Sequence, residues 1–243
     1  MRIRMVGATD IGRRRKTNQD SIYYDEPQGI GIVADGIGGR KGGGLASAMI
    51  VDGLKRAFLE SDRIRHEEIT PFVTSAIDRT NQAIIERGVI ENESAGMGTT
   101  VNFLIFVGDR LHVAHVGDSR TYLFYRDHLW QLTIDHNIET FIARGWMPKS
   151  ALHPNTKGSA LVRSIGLSVR CEVEVYEIPL RSGQIYLTCS DGLTGMVDDR
   201  RIAALISANL QNFESLPKIL IDEALRNGGK DNVTVLLSQV KEA

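Results

Sequence analysis

Cysteine is scarce, with Cys171 and Cys189 alone in 243 residues. Cys189 lies inside the apolar run QIYLTCS, which reads as a buried thiol rather than half of a disulfide. No apolar stretch approaches the roughly 20 residues that span a bilayer. The N-terminal MRIRMVGATDIG lacks the apolar core of a secretory signal. The expectation is a cytoplasmic chain with no membrane partner. A basic excess is also missing: 29 Lys and Arg stand against 30 Asp and Glu, for a net charge of -1. Nucleic-acid binding, which usually needs a basic surface, therefore loses weight. There is no internal repeat, no low-complexity tract and no Pro- or Ser-rich linker, so residues 1–243 read as one domain. Several chemical signatures are absent as well: a GxxxxGK[ST] phosphate loop, a Ser-His-Asp arrangement and a reactive-cysteine motif. His112 and His115 lie three apart in one expected strand and point to opposite faces, while His136 and His153 fall in an irregular stretch. The histidines thus suggest no zinc site.

What is present is a 42% hydrophobic fraction, enough for a full core. Runs rich in β-branched and aromatic residues predict strands at 3–9, 20–25, 29–35, 99–107, 110–117, 120–126, 128–132, 171–178, 183–190 and 232–240. Gly108-Asp109 is a tight hairpin signal. Helical spacing of apolar residues predicts helices over 45–59 and 70–87, the second with Thr70-Pro71 at its start. A third is expected to be capped by Asp199 and to carry Ile202, Leu205 and Ile206. A fourth, with Leu216, Leu220 and Ala224, stops at Gly228-Gly229. Strand runs are interrupted by helix pairs rather than by single alternating helices. That favours an α+β fold of antiparallel sheets with helices layered outside. Residues 133–165 depart from the pattern. A short helix around Ile138 and Phe141 ends at Gly145, and a polar, turn-rich segment follows, as in a functional loop.

The aspartates carry the chemistry. Asp35 follows the apolar run GIGIVA, Asp118 follows RLHVAHVG and Asp191 follows QIYLTCS. Asp20 opens the second strand, and Asp231 precedes the last. A carboxylate at the end of a buried strand is costly unless a positive charge meets it. If five such positions converged, divalent cations would relieve their repulsion, and all-oxygen ligation suits Mg²⁺ or Mn²⁺ rather than zinc. Each Asp alone also reads as a turn or cap residue. Glycines crowded around Asp35 imply close backbone approach, and the Gly36 carbonyl oxygen is a further candidate ligand. The run Arg13-Arg14-Arg15-Lys16, close to Asp20, is either a solvated basic patch or the source of a phosphate-clamping arginine.

Seven short motifs then appear in order along residues 6–239: Arg15-Lys16-Thr17-Asn18-Gln19-Asp20, Val33-Ala34-Asp35-Gly36-Ile37-Gly38-Gly39, Gly98-Thr99-Thr100, Gly117-Asp118-Ser119-Arg120, Leu132-Thr133-Ile134-Asp135-His136, Ser190-Asp191-Gly192 and Asp231-Asn232-Val233-Thr234. In this order they resemble the PPM, or type 2C, metal-dependent protein phosphatases in their bacterial single-domain form. The resemblance implies a four-layer α-β-β-α sandwich with two central, mainly antiparallel sheets. It implies hydrolysis of phosphoserine and phosphothreonine in proteins, opposing a Ser/Thr kinase, by a monomer. It implies two core Mn²⁺ or Mg²⁺ ions on Asp20, Asp35, Asp191, Asp231 and the Gly36 carbonyl, a third on Asp118 with Asp191, and Arg15 on the substrate phosphate. Residues 133–165 occupy the place of the family's flap. Ile37 stands where many eukaryotic members carry a histidine proposed as general acid, which leaves the proton donor open.

Overall fold

The computed structural model describes residues 1–37, 42–61, 64–90, 96–153 and 155–242. Gly38 and Gly39 of the glycine-rich motif, and Pro154 of the irregular stretch, lie outside the described residues. In chain order the elements are β1 (Arg2–Asp10), β2 (Asp20–Asp25), β3 (Ile30–Ile37), α1 (Gly42–Leu59), α2 (Ile69–Ile90), β4 (Gly98–Thr99), β5 (Val101–Val107), β6 (Arg110–Val116), β7 (Arg120–Tyr125), β8 (His128–Gln131), α3 (Ile138–Ala143), β9 (Glu174–Pro179), β10 (Ile185–Cys189), α4 (Asp191–Thr194), α5 (Asp199–Ala208), α6 (Leu216–Arg226) and β11 (Val233–Lys241).

The strands form two antiparallel sheets. One runs β1-β11-β10-β7-β8; the other runs β2-β3-β5-β6-β9, with the short β4 also paired to β3. The run VNFLIFV of β5 shows why the sheets lie inside. Val101, Phe103 and Ile105 project to one face and pack with Ile50, Leu54 and Ile77 of α1 and α2. Leu104 and Phe106 project to the other and meet Met5, Val113, Tyr186 and Val240 between the sheets. Alternate side chains point to opposite faces, so a strand covered on both sides must be apolar at nearly every position. On the far side, Leu187, Val235 and Leu237 pack against Ile202 of α5 and Leu220 of α6. Three apolar layers separate four layers of secondary structure, as the resemblance implies.

Local chemistry sets most element boundaries. Val107 pairs with Arg110 across a two-residue turn that begins at Gly108, whose φ of 60° lies in the left-handed region open to glycine. Four expectations need correction. Helix α2 starts at Ile69, directly after a 3₁₀ turn at His66–Glu68, so Thr70 lies inside the helix and caps nothing. The cap of α5 is Asp198, which accepts from Arg201 N at 2.9 Å, while Asp199 is the first helical residue and accepts from the Tyr122 hydroxyl at 3.1 Å. Strand β3 runs past Asp35 to Ile37, because Gly36 and Ile37 pair with Thr99 and Gly98 of β4. Residues 171–173 precede β9 rather than open it. Helix α4 is a single turn, too short for apolar periodicity to reveal.

The irregular stretch is tied to the body at several points. Ile165 and Thr99 exchange backbone hydrogen bonds of 2.9 and 3.0 Å, and His136 N donates to Gly117 O at 2.8 Å. Asn137 caps α3 by accepting from Thr140 N at 3.0 Å.

The cap assignment has a direct check by urea denaturation. Asp198→Ala should cost about 1 kcal/mol of stability, the usual worth of an N-cap, while Thr70→Ala should change it by less than about 0.5 kcal/mol. A larger loss from Thr70→Ala than from Asp198→Ala would overturn it.

Candidate active site

All five predicted aspartates meet. Asp20 and Asp35 are direct cross-strand partners in β2 and β3. Asp118 follows β6, Asp191 is the first residue of α4 just after β10, and Asp231 lies in the turn before β11. Asp35 feels the charge of Asp20, Asp191, Asp118 and Asp231 together.

Neutral hydrogen-bonding groups position Asp20 by its carboxylate and Asp35 by its backbone. Asp20 Oδ2 accepts from Ser190 Oγ at 2.8 Å and from Thr234 Oγ1 at 2.6 Å, which ties β2 to the ends of β10 and β11. The backbone of Asp35 is gripped by the Gly98-Thr99-Thr100 motif: Asp35 N donates to Thr100 Oγ1 at 2.9 Å, and Asp35 O accepts from Thr99 Oγ1 and Thr100 N, each at 2.9 Å. Thr100 Oγ1 in turn meets Ser119 Oγ at 2.7 Å, beside Asp118. Asn232 fastens the loop that carries Arg15. Its Nδ2 donates to Ile11 O at 2.9 Å and Thr17 O at 3.0 Å, and its Oδ1 accepts from Gln19 N at 2.9 Å. Arg120 holds Asp135 through two parallel hydrogen bonds, Nε to Oδ1 at 2.9 Å and Nη2 to Oδ2 at 2.7 Å. These supporting residues lie inside the seven motifs, yet the motifs by themselves assign them no role. The available signal was polarity where apolar residues are expected, as with Thr234 inside NVTVLL.

Glycine is required where backbones touch. A Cβ at Gly36 would lie 2.3 Å from Gly43 O and 2.6 Å from Gln19 O. One at Gly192 would lie 1.9 Å from Asn232 O. Both contacts are far inside van der Waals distance and made by backbone that cannot swing away.

The electrostatics follow from this crowding. Burial, opposed by its two hydroxyl donors and reinforced by Asp191 and Asp231, pushes Asp20 up to about 6. Burial and then the charges of Asp191 and Asp135 push Asp118 up to about 7. Asp35 rises well above the carboxylate range, through burial first and its four acidic neighbours second. Asp191 is also raised, by burial and by Asp231, although a hydrogen bond with Asp35 pulls it back. Its side chain opens to solvent while its carboxylate is ringed by protein, so screening blunts the effect. Of the basic run, Arg15 is the residue that reaches the cluster, its Nη2 lying 2.5 Å from Asp231 Oδ2. That hydrogen bond raises the Arg15 guanidinium against its partial burial, aided by Asp231, Asp35 and Asp191. Arg13 is fixed through its backbone N–H on Gly229 O at 2.7 Å.

A divalent cation fits this donor set. Asp20 Oδ1 is buried with no hydrogen-bond partner among the described residues, and the carboxylates around Asp35 carry charge that one guanidinium does not offset. All-oxygen donors favour Mg²⁺ or Mn²⁺.

A family model described as protein phosphatase 2C matches residues 9–226. The chain belongs to the protein phosphatase 2C family. Serine/threonine phosphatase stp of Listeria innocua is 33% identical over 234 residues, which cover 94% of this chain and 92% of that protein. Serine/threonine protein phosphatase PstP of Mycobacterium tuberculosis is 33% identical over 240 residues, 98% of this chain and 45% of that one. Among solved structures, the S. agalactiae serine/threonine phosphatase matches with a TM-score of 0.88 at 33% identity, over 98% of this chain and 100% of that one. The catalytic domain of PstP in complex with 2 manganese ions matches with a TM-score of 0.85 at 29% identity, over 99% of each chain. The chain is therefore a metal-dependent serine/threonine protein phosphatase acting on phosphoproteins, with the α+β fold of this family. No helix among the described residues is long and apolar enough to cross a membrane.

The raised carboxyl groups fix the sign of a pH effect on the phosphatase in chelator. A folded-state pKa near 7 for Asp118, above the ordinary 3.8, contributes stability at low pH that is lost as pH rises from about 4 to about 7. Asp118→Asn cannot titrate. The metal-free variant should match wild type near pH 4 and exceed it above pH 7. The gain should reach a few kcal/mol, since each tenfold change in proton affinity is worth about 1.4 kcal/mol, less what solvent screens at the partly exposed Asp118. Urea denaturation in EDTA at several pH values reads this directly, and saturating Mn²⁺ should remove the advantage. A constant offset at all pH values would count against it.

Proposed function

We propose that Asp20, Asp35, Asp191, Asp231 and the Gly36 carbonyl oxygen hold two core Mn²⁺ or Mg²⁺ ions, and that Asp118 with Asp191 holds a third. The observation that carries this reading is the meeting of five carboxyl groups, four of them raised by burial and by one another, around a buried oxygen of Asp20 that lacks a partner. When bound, divalent cations supply Lewis acidity, making water a competent nucleophile near neutral pH and offsetting charge on the transferring phosphoryl group.

The protein's own groups supply the rest. Arg15 occupies the mouth of the cluster in a charge-assisted pair with Asp231. Were a cation to hold Asp231, the Arg15 guanidinium would be free of that pair, and its planar donors would suit two phosphate oxygens. Arg15 then orients the phosphoryl group and stabilises charge on its equatorial oxygens. The hydroxyls of Ser190 and Thr234 hold Asp20 still, and Thr99 and Thr100 do so for Asp35, so the donor set costs little reorganisation during turnover. Ile37 carries no exchangeable proton, so the departing serine or threonine oxygen takes its proton from water.

Residues 133–165 act as a flap that selects the phosphoprotein. It borders a cavity of about 570 Å³ lined by Phe141, Val162, Arg163, Leu167, Arg170 and Glu172, whose mixed apolar and charged walls suit peptide residues flanking the phosphate. A cytoplasmic Ser/Thr kinase and its targets are the natural source of that substrate, and the phosphatase acts as a single-domain monomer.

Two sets of variants test the assignment. Asp35→Asn and Asp231→Asn should each cut turnover of p-nitrophenyl phosphate at saturating Mn²⁺ by at least about a hundredfold, since metal activation supplies several kcal/mol. Near-normal rates in both would refute the ligand set. Arg15→Ala should weaken competitive inhibition by inorganic phosphate by at least about tenfold, as expected for a charged hydrogen bond worth about 1.5–3 kcal/mol. Arg13→Ala and Arg14→Ala should leave it within about twofold. Equal effects in all three would reduce the run to a basic surface.

A further inference from the structure

At the outer edge of the second sheet, far from the aspartates, two histidines and a glutamate meet. Along β6 and the Gly117 turn, His112 lies roughly 20 Å from Asp118 at about 3.3 Å per residue. His112 sits at an even position of β6, so it faces the helix side of the sheet, where the 3₁₀ turn before α2 brings His66 against it. His66 Nδ1 and His112 Nε2 are 2.7 Å apart, with ring centroids 4.6 Å apart. Glu177, directly opposite His112 on the edge strand β9, places Oε1 3.4 Å from His66 Nε2. One nitrogen from each ring and one carboxylate oxygen all lie within 4.8 Å of one another. We propose that His66, His112 and Glu177 form a second cation site, selective for zinc-like transition metals and separate from the catalytic centre.

The donor chemistry sets the selectivity. Two imidazoles and a carboxylate suit Zn²⁺, Ni²⁺ or Co²⁺, whereas Mg²⁺ and Mn²⁺ prefer the oxygen cage of the aspartates. Burial first, then His66, holds the His112 imidazolium below its ordinary pKa, so the ring is in its ligating form. Ligands of one tetrahedral zinc stand about 3.3 Å apart at bond lengths near 2.0–2.1 Å, so the two rings must open by about 0.6 Å. His66 can supply this, being half-exposed on a three-residue turn while His112 is fixed in the sheet. The proton shared between the facing nitrogens moves to an outer ring nitrogen on binding. Glu177 is paired with Arg110 Nη1 at 2.5 Å, but the Arg110 side chain is half-exposed to water, and the exposed Asp109 carboxylate lies nearby, its Oδ1 4.0 Å from Arg110 Nε. The ion can therefore take Glu177 without stranding Arg110. His112 Nδ1 is buried with no partner among the described residues, so the ring lacks the outer acceptor that usually strengthens a ligating histidine. Such acceptors are worth about 10- to 100-fold in affinity, which places this site below structural zinc sites in strength. An ion here staples the turn before α2 to the sheet edge.

The test is calorimetric titration of the whole protein with Ni²⁺ in excess Mg²⁺, which occupies the aspartates and leaves imidazoles free. Wild type should bind one more Ni²⁺ than His66→Ala. Asp35→Asn should retain that ion, and Glu177→Gln should weaken it at least about tenfold. Ni²⁺ should raise the melting temperature of wild type more than that of His66→Ala, since only the former gains the ligand's binding free energy. His66→Ala and Glu177→Gln each replace a half-exposed side chain, and circular dichroism checks that both variants fold. Equal Ni²⁺ stoichiometry in wild type and His66→Ala would reduce the cluster to a hydrogen-bonded pair, and loss of the extra ion in Asp35→Asn would return it to the catalytic centre. Either result overturns the proposal.

Discussion

Mutual repulsion among Asp20, Asp35, Asp118, Asp191 and Asp231 is the constraint on which the rest of the structure depends. Without cations these carboxyl groups are a standing cost, which is why burial and neighbouring charge drive Asp35, Asp20 and Asp118 upward. A fold that places them together must hold them by means other than attraction. It does so with neutral donors: Ser190, Thr234, Thr99, Thr100 and Asn232 each spend hydrogen bonds on a carboxylate, on its backbone or on the loop beside it. Such groups fix position without adding charge, so the cation remains the economical partner for the cluster.

The two sheets explain why those donors are available. Asp20 is supported from β10 and β11, which belong to the opposite sheet, so the active site is built across the sandwich rather than within one layer. Apolar side chains between the sheets, Leu104, Val113, Tyr186 and Val240 among them, set that spacing. At the sheet ends the same strands deliver polar residues instead. Gly36 and Gly192 are points where backbones touch within each half, Gly36 against Gly43 of α1 and Gln19 before β2, Gly192 against Asn232 before β11, and no side chain can occupy either. The phosphatase activity thus depends on core packing at some distance from the chemistry.

The irregular segment at 133–165 joins this frame through backbone pairs at Thr99 and Gly117, next to Asp35 and Asp118 respectively. The part-buried ion pair of Arg120 with Asp135 fixes the start of the same segment. Residues 133–165 are therefore linked to the backbone beside Asp35 and Asp118 by short, direct connections. Removing one partner of the Arg120–Asp135 pair would leave the other charge in a poorly solvated place, a larger disturbance than losing a surface ion pair.

Much of this was legible in the amino-acid sequence. Strand runs, helix pairs and the order of the seven motifs implied the layered fold, because apolar periodicity is a local property and each motif is a local string. A carboxylate closing a buried strand is anomalous wherever it occurs, which marked Asp35, Asp118 and Asp191, while the order of the motifs, through the family resemblance, added Asp20, Gly36, Asp231 and Arg15. Choices among near neighbours were not legible. Asp198 rather than Asp199 caps α5, and α2 begins before Thr70, because half a turn of helix changes neither composition nor periodicity. The roles of Asn232, Thr234 and Ser190 depend on partners more than 40 residues away in every case but one, so only the tertiary structure assigned them. The meeting of His66, His112 and Glu177 is of the same kind. No ligand spacing links a turn, a strand and an edge strand so far apart, and their contact follows from the helix layer closing over the sheet.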